Sequence, residues 1–146
     1  THVKGPTRAA APPMRVFKTR TRVRYAETDC SGIVYYNQYF VYFELGRVEL
    51  FRALQLPYDR RLPIVEAGCR FHASARFDDL LEIHTFVEEI RTRAFRFGHQ
   101  VHRVRDEATD ELELLARGFA AMVHADPGRQ GAPMPARFRE ALESIA

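Results

Sequence analysis

Asn37-Gln-Tyr-Phe-Val-Tyr-Phe-Glu-Leu-Gly-Arg-Val-Glu-Leu-Phe-Arg-Ala-Leu54 is the one long helical pattern in this chain. Phe40, Phe43, Arg47, Leu50, Phe51 and Leu54 recur at three-to-four spacing. Tyr39, Tyr42, Leu45 and Val48 carry the apolar surface further round. The spacing predicts a helix over 38–55 that is covered on more than one side. Asn37 stands where an N-cap is expected, and Pro57 stops the pattern. Glu44 and Arg47, and Glu49 and Arg52, are placed for contacts along the helix.

Strands are predicted on both sides of this helix. From Met14 to Tyr25 the residues alternate. Phe17, Thr19, Thr21, Val23 and Tyr25 share one face; Val16, Lys18, Arg20, Arg22 and Arg24 share the other, which is set to meet water or an anion. After Pro63 come four strand-like runs, at about 64–76, 80–91, 94–105 and 112–125, with no second long helix between them. Asp78-Asp79 reads as a hairpin turn, Arg91–Ala94 as a second turn and Asp106–Asp110 as a third. A loop with Pro127, Gly128, Gly131, Pro133 and Pro135 leads to a short helix from Ala136 to Ile145. The order is strand, long helix, four strands. That is α+β: a largely antiparallel sheet, long enough in its strands to curve, with the helix buried on one face.

The chain has 146 residues, 46% hydrophobic and 28% charged, enough for one domain with a core of its own. Residues 1–13 are small, polar and proline-containing, and read as a flexible leader without the apolar core of a secretory signal; 14–146 read as a single domain. The expected location is cytoplasmic. No run is long and apolar enough to suggest a membrane span. Net charge is +3, yet residues 1–24 carry seven Lys and Arg and no acid. A nucleic-acid contact by this arm is one reading, and a solvated leader plus a charged strand face is the other; no nucleic-acid motif accompanies the positives. Cys30 and Cys69 are too few for a disulfide framework and read as small packing residues. There is no zinc spacing, no phosphate-binding glycine loop and no nucleophile elbow, so neither a metal nor another cofactor is expected. His99 and His102, three apart on a strand, fall on opposite faces.

Tyr25-Ala-Glu-Thr-Asp-Cys-Ser-Gly-Ile-Val-Tyr-Tyr-Asn-Gln-Tyr39 carries the chemistry. It places the Asp29 carboxylate in a loop just ahead of a helix N-terminus, whose free N–H groups can polarise a carbonyl oxygen. Such a carboxylate can attack that carbonyl or activate water. Gly32 permits a tight path between the two. On spacing alone, Asp29 reads more readily as a turn or cap residue than as a catalytic one.

The segment Val23–Arg52 resembles the signature of the 4-hydroxybenzoyl-CoA thioesterase family of hotdog-fold acyl-CoA thioesterases. The matching features are the strand ending in Arg24-Tyr25, the Thr28-Asp-x-x-Gly-Ile-Val-Tyr35 core, Tyr39, and the Glu44-x-x-Arg47-x-Glu49 face. Phe71–Thr85 resembles the second signature of that family. The resemblance implies a hotdog fold and hydrolysis of an acyl-CoA thioester. By position, Asp29 would be nucleophile or general base. The backbone N–H of Tyr36 would polarise the carbonyl, and Gly32 would shape the loop. It implies a homodimer or homotetramer, with sheets joined edge to edge and the site between subunits. Arg91, Arg93 and Arg96 would supply a basic rim for the coenzyme A phosphates, and Tyr35, Tyr39 and Phe43 an acyl pocket. Neither nucleic acid nor membrane is an expected partner. The same chemistry on an acyl carrier protein, and a non-catalytic acyl-CoA-binding module, are the alternatives; a dehydratase would require a histidine that no residue clearly supplies.

Overall fold

The computed structural model describes residues 15–58, 62–126, 128 and 131–146. Residues 1–13, read as a leader, lie outside them. The first alternating stretch forms β1 (Phe17–Arg22), with Phe17, Thr19 and Thr21 half-buried and Lys18, Arg20 and Arg22 exposed. The strand stops there. Tyr25, expected on the inner face, instead opens a 3-10 turn (Tyr25–Glu27) and is 77% exposed. The outer cations meet the protein's own acids. Arg20 pairs with Glu82 and Asp110, both at 3.0 Å, and Arg22 lies 3.9 Å from Asp78 and 3.8 Å from Glu107.

The central pattern forms α1 (Gln38–Ala53), with Tyr39, Tyr42, Phe43, Gly46, Arg47, Leu50 and Phe51 buried. Asn37 has helical dihedrals and makes no side-chain cap bond. It is an extra residue of the entering turn, because Gln38, Tyr39 and Phe40 already donate to the carbonyls of Tyr35, Tyr36 and Asn37. Glu49 and Arg52 pair at 3.4 Å. Arg47 does not turn outward to Glu44. It is 2% exposed, with Nη1 3.0 Å from His99 Nε2 and Nε donating to Tyr58 Oη at 3.1 Å.

Four further strands follow: β2 (Ile64–Phe71), β3 (Leu80–Ile90), β4 (Ala94–Asp106) and β5 (Glu111–Val123); α2 (Ala136–Glu143) ends the chain. They form one antiparallel sheet of order β1-β3-β4-β5-β2. The expected turns at Arg91–Ala94 and Asp106–Asp110 join paired strands. Asp78-Asp79 does not, because β2 pairs with β5 and β3 with β1 and β4. Residues 72–79 therefore cross from the β2 edge of the sheet to β3, next to the far edge, and no hairpin forms at Asp78-Asp79.

α1 lies across the face made by β1, β3 and β4. Its first half packs with Val23, Val34, Leu81, Ile83, Val101 and Leu115. Its second half packs with Val87, Phe95, Phe97, Met122, Phe138 and Leu142, so α2 closes that end. Gly46 sets the approach of helix to sheet: a Cβ there would overlap Thr85 Oγ1 and press on Ile83. No helix among the described residues is long and apolar enough to cross a membrane.

His99 faces the helix and is buried, while His102 lies on the opposite face. Burial, and then the Arg47 cation, hold the His99 imidazole well below its ordinary pKa. Burial, and then the neighbouring His84, push His102 down to about 4. Burial alone would raise Glu82, but hydrogen bonds from His84 and Arg20 outweigh it and keep the carboxyl below its usual range. The unfolded chain therefore binds protons near pH 6.5 that the folded chain refuses, so the stability from His102 is complete above that pH and lost as pH falls towards 4. Glu82 adds a loss in the same direction at lower pH. The melting temperature is expected to fall between pH 7.5 and pH 5, and His102→Gln to flatten that fall.

Candidate active site

A buried carboxylate organises the loop that carries Asp29. Glu27 accepts from Arg24 N and Arg24 Nε, each at 3.0 Å, and from the Tyr42 hydroxyl at 2.8 Å. Burial would raise its pKa; these three donors outweigh burial and hold it below the ordinary value. Burial, then the bond to Glu27, push the Tyr42 phenol up, so it stays a donor. The start of the loop is thereby tied to the second turn of α1.

The chain then folds back on itself in a small β-turn structure. Thr28 bridges Val34; Tyr35 N donates to Glu27 O at 3.0 Å and Asp29 N to Ile33 O at 2.8 Å. Asp29 Oδ1 accepts from Ser31 N at 2.7 Å, and Asp29 O accepts from Gly32 N at 3.0 Å. Gly32 has φ +78°, the left-handed conformation that closes this turn. The turn rests on the crossover segment: Val34 N donates to Ala75 O at 2.8 Å, and Ala75 N donates to the Tyr39 hydroxyl at 3.1 Å. The side chain of Asp29 is exposed at the tip, one carboxylate oxygen held by an amide and the other free of any bond within the described residues.

Asp29 opens onto a cavity of about 350 Å³ lined also by Ile33, Val34, Tyr36, Tyr39, Phe71, His72, Ala73 and Ser74. Among the described residues no backbone carbonyl takes the Tyr36 or Asn37 N–H, while the amides of Gln38, Tyr39 and Phe40 are committed to the entering turn of α1. A carboxylate and an uncommitted helix-terminal amide thus share one apolar-sided hollow. Together they suit addition of an oxygen nucleophile to a carbonyl.

Of the residues singled out in the sequence, Asp29, Tyr36 and Tyr39 line this cavity and Gly32 shapes its loop. Tyr35 stays outside, 46% exposed, its ring 4.6 Å from that of Tyr36. Phe43 is deeper, stacked on the His99 ring at 4.7 Å. It borders a separate cleft of about 150 Å³ between α1 and β2, with Phe40, Glu44, Arg47, Ile64 and Ala67. Arg91, Arg93 and Arg96 lie at the β3–β4 turn and do not reach the Asp29 cavity of the same chain. Arg91 pairs with Glu89 at 2.6 Å; Arg96 pairs with Glu88 at 2.7 Å and lies 3.7 Å over the Phe119 ring. Cys30 is exposed beside Asp29, not packed as expected, whereas Cys69 is half-buried and burial pushes its thiol up to about 11.

Phe71, His72 and Ser74 are the cavity residues that pattern reading missed as site residues. The run 64–76 reads as one strand, but pairing stops at Phe71. The small residues Ala73, Ser74 and Ala75 are the signal that the segment leaves the sheet.

A sequence model described as the thioesterase-like superfamily matches residues 23–142. The chain is 29% identical to the acyl-CoA thioester hydrolase YbgC of Escherichia coli O6:H1 over 106 residues, covering 68% of this chain and 79% of the relative. Its fold superposes on 4-hydroxybenzoyl-CoA thioesterase from Pseudomonas sp. strain CBS-3 with TM-score 0.76 and 27% identity, over 87% of this chain and 99% of that one. An Asp-to-Asn mutant of 4-hydroxybenzoyl-CoA thioesterase, solved in complex with 4-hydroxybenzoyl-CoA, matches equally, with TM-score 0.76 and 26% identity over 88% of this chain and 99% of that one.

Proposed function

The chain belongs to the thioesterase-like superfamily and has its hotdog fold, and from that we propose that it hydrolyses an acyl-CoA thioester to the free acid and coenzyme A. Asp29 is the carboxylate that attacks the thioester carbonyl or draws a proton from the attacking water. The Tyr36 N–H receives the developing oxyanion, and Gly32 keeps the two in reach of one carbonyl. Tyr39 supports the floor, its hydroxyl bound to Ala75 N. The observation that carries this reading is the shared cavity of Asp29 and Tyr36, beside a carboxylate whose second oxygen is free.

The site is completed by a second copy. β2 is an edge strand with an unpaired side, and Ile64 (46%), Val65 (62%) and Phe71 (46%) are exposed along it. Two such edges joined into one sheet cover these residues and bring the surface of one chain up to the cavity of the other. Arg93, for which no acid lies within ion-pair distance among the described residues, is the cation of the proposed basic rim left free for a coenzyme A phosphate; Arg91 and Arg96 would exchange Glu89 and Glu88 for it. Of the aromatics expected at the acyl group, Tyr39 lines the cavity, and Tyr35 and Phe43 would reach the acyl chain only beyond its rim. The two free cysteines agree with a cytoplasmic setting.

The test is thiol release from short, medium, long and aryl acyl-CoAs, with the matching acyl carrier protein thioesters alongside. Turnover on acyl-CoA with the higher kcat/KM supports the proposal. Faster turnover on the carrier protein moves the substrate class, and tight binding of acyl-CoA without turnover removes the catalytic role. Light scattering should give the mass of two or four chains. Val65→Lys is expected to reduce it to one and to remove most activity.

A further inference from the structure

Five histidines lie within the described residues, and four have a ring nitrogen engaged. His84 bonds Glu82 at 2.6 Å, His99 bonds Arg47 at 3.0 Å, His102 bonds Gln100 at 2.9 Å and His124 meets Ala132 O at 3.3 Å. His72 is the exception: its ring has no hydrogen bond or ion pair among the described residues, it is exposed, and it lines the Asp29 cavity. An imidazole without a partner thus lines the same cavity as a carboxylate with one free oxygen.

The backbone beneath this ring is held on every side. His72 N and Ala73 N both donate to Leu115 O, at 2.8 and 3.1 Å. The two amides share one carbonyl just past the end of β2, where the chain leaves the ladder. Phe71, just before them, packs edge-on against Tyr39 at 5.2 Å. Ala75, just after them, is bonded to Val34 and to the Tyr39 hydroxyl. The same contacts that fix the Asp29 loop thus fix the backbone of His72, while its ring is left free to turn.

We propose that His72 is a second catalytic residue, the acid that protonates the departing sulfur. This rests on the thioesterase reading above and deepens it. Water adds to the carbonyl carbon as Asp29 takes one of its protons. The tetrahedral intermediate then collapses, the C–S bond breaks, and the sulfur takes a proton from the imidazolium of His72 to leave as a thiol. The products are the carboxylic acid and the thiol. The proton held by Asp29 passes to the neutral imidazole, and the product acid releases its own to solvent, which restores both groups. The titratable residues that line the cavity with His72 are Asp29 from the loop, Tyr36 just ahead of α1 and Tyr39 in its first turn, whose hydroxyl accepts from Ala75 N. β5 meets His72 through Leu115, and Arg103 of β4 reaches the nearby Ser74 carbonyl.

The experiment compares the full chain with His72→Gln on two thioesters of one acyl group. One carries coenzyme A, an alkyl thiol, and the other a thiophenol, which departs readily without a proton. His72→Gln is expected to slow the coenzyme A ester about 100-fold and the thiophenyl ester only a few-fold. Equal slowing of both esters, or no slowing of either while Asp29→Asn still abolishes turnover, overturns the proposal and leaves the thioesterase reading standing. Absence of turnover by the unmodified chain on any thioester overturns that reading itself.

Discussion

Asp29→Asn is expected to lower kcat on the best acyl-CoA about 1000-fold, close to 4 kcal/mol of transition-state stabilisation at 1.36 kcal/mol per tenfold. Asparagine keeps the shape of the side chain and the oxygen that accepts from Ser31 N, so the turn closed by Gly32 survives. What it removes is the charge on the free oxygen, which neither attacks a carbonyl nor takes a proton once it is an amide. KM should move little, because the amide of Tyr36 and the walls of the cavity are untouched. The measurement is thiol release under saturating substrate, with the melting temperature as a control for folding. A variant that keeps a tenth of the wild-type kcat removes Asp29 from the reaction.

Arg47→Ala carries the second large effect, and it falls on stability. The guanidinium is 2% exposed, and its loss leaves His99 Nε2 and the Tyr58 hydroxyl short of a partner. It also leaves a void beneath the middle of α1, next to the stacked Phe43 and His99 rings. The void and the polar groups left short of a partner cost about 2–5 kcal/mol, a large part of the total for a domain of this size. Arg52→Ala, on the exposed side of the same helix, should stay within about 0.5 kcal/mol. Denaturant midpoints at pH 7.5 separate the two. Near-equal midpoints would mean that Arg47 contributes little where it lies.

Much of the architecture is legible from pattern. The three-to-four spacing locates α1 to within two residues, and its apolar breadth announces that it is enclosed. Period two locates β1, and strand-like runs locate the other four, with the ends of β1 and β2 read too long. Which strands become neighbours is a different matter, since alternation reports only that a segment has two unlike faces. Asp78-Asp79 has the composition of a hairpin turn, yet it ends a crossover, because the partner of β2 lies nearly fifty residues further on. Arg47 illustrates a second gap. Helical spacing offers Glu44 as its partner, and only the packing of three strands against that face shows the side chain turned inward. For the site, Asp29, Gly32 and Tyr36 are visible through their resemblance to a family signature, and the structure brings them to one place. His72 was hidden because it lies just past the end of β2, and alternation does not report where pairing stops. The basic rim is legible as charge but not as position, since each arginine there can choose a local acid.

The strand order also has a consequence for how the chain reaches its native state. β3, β4 and β5 are consecutive and pair by short turns, so this meander can assemble from local contacts. β1 and β2 come earlier in the chain and wait for it: Phe17 must find Thr85, and Phe71 must find Ala116. Such long-range pairings slow folding. During synthesis α1 emerges with only β1 ahead of it and before β3 and β4, which cover most of it, so Phe40, Phe43, Leu50 and Phe51 face water until the later strands leave the ribosome. The newborn amino-terminal half is therefore the sticky part of this protein, and chaperone demand should fall on it in the interval before β5 is made.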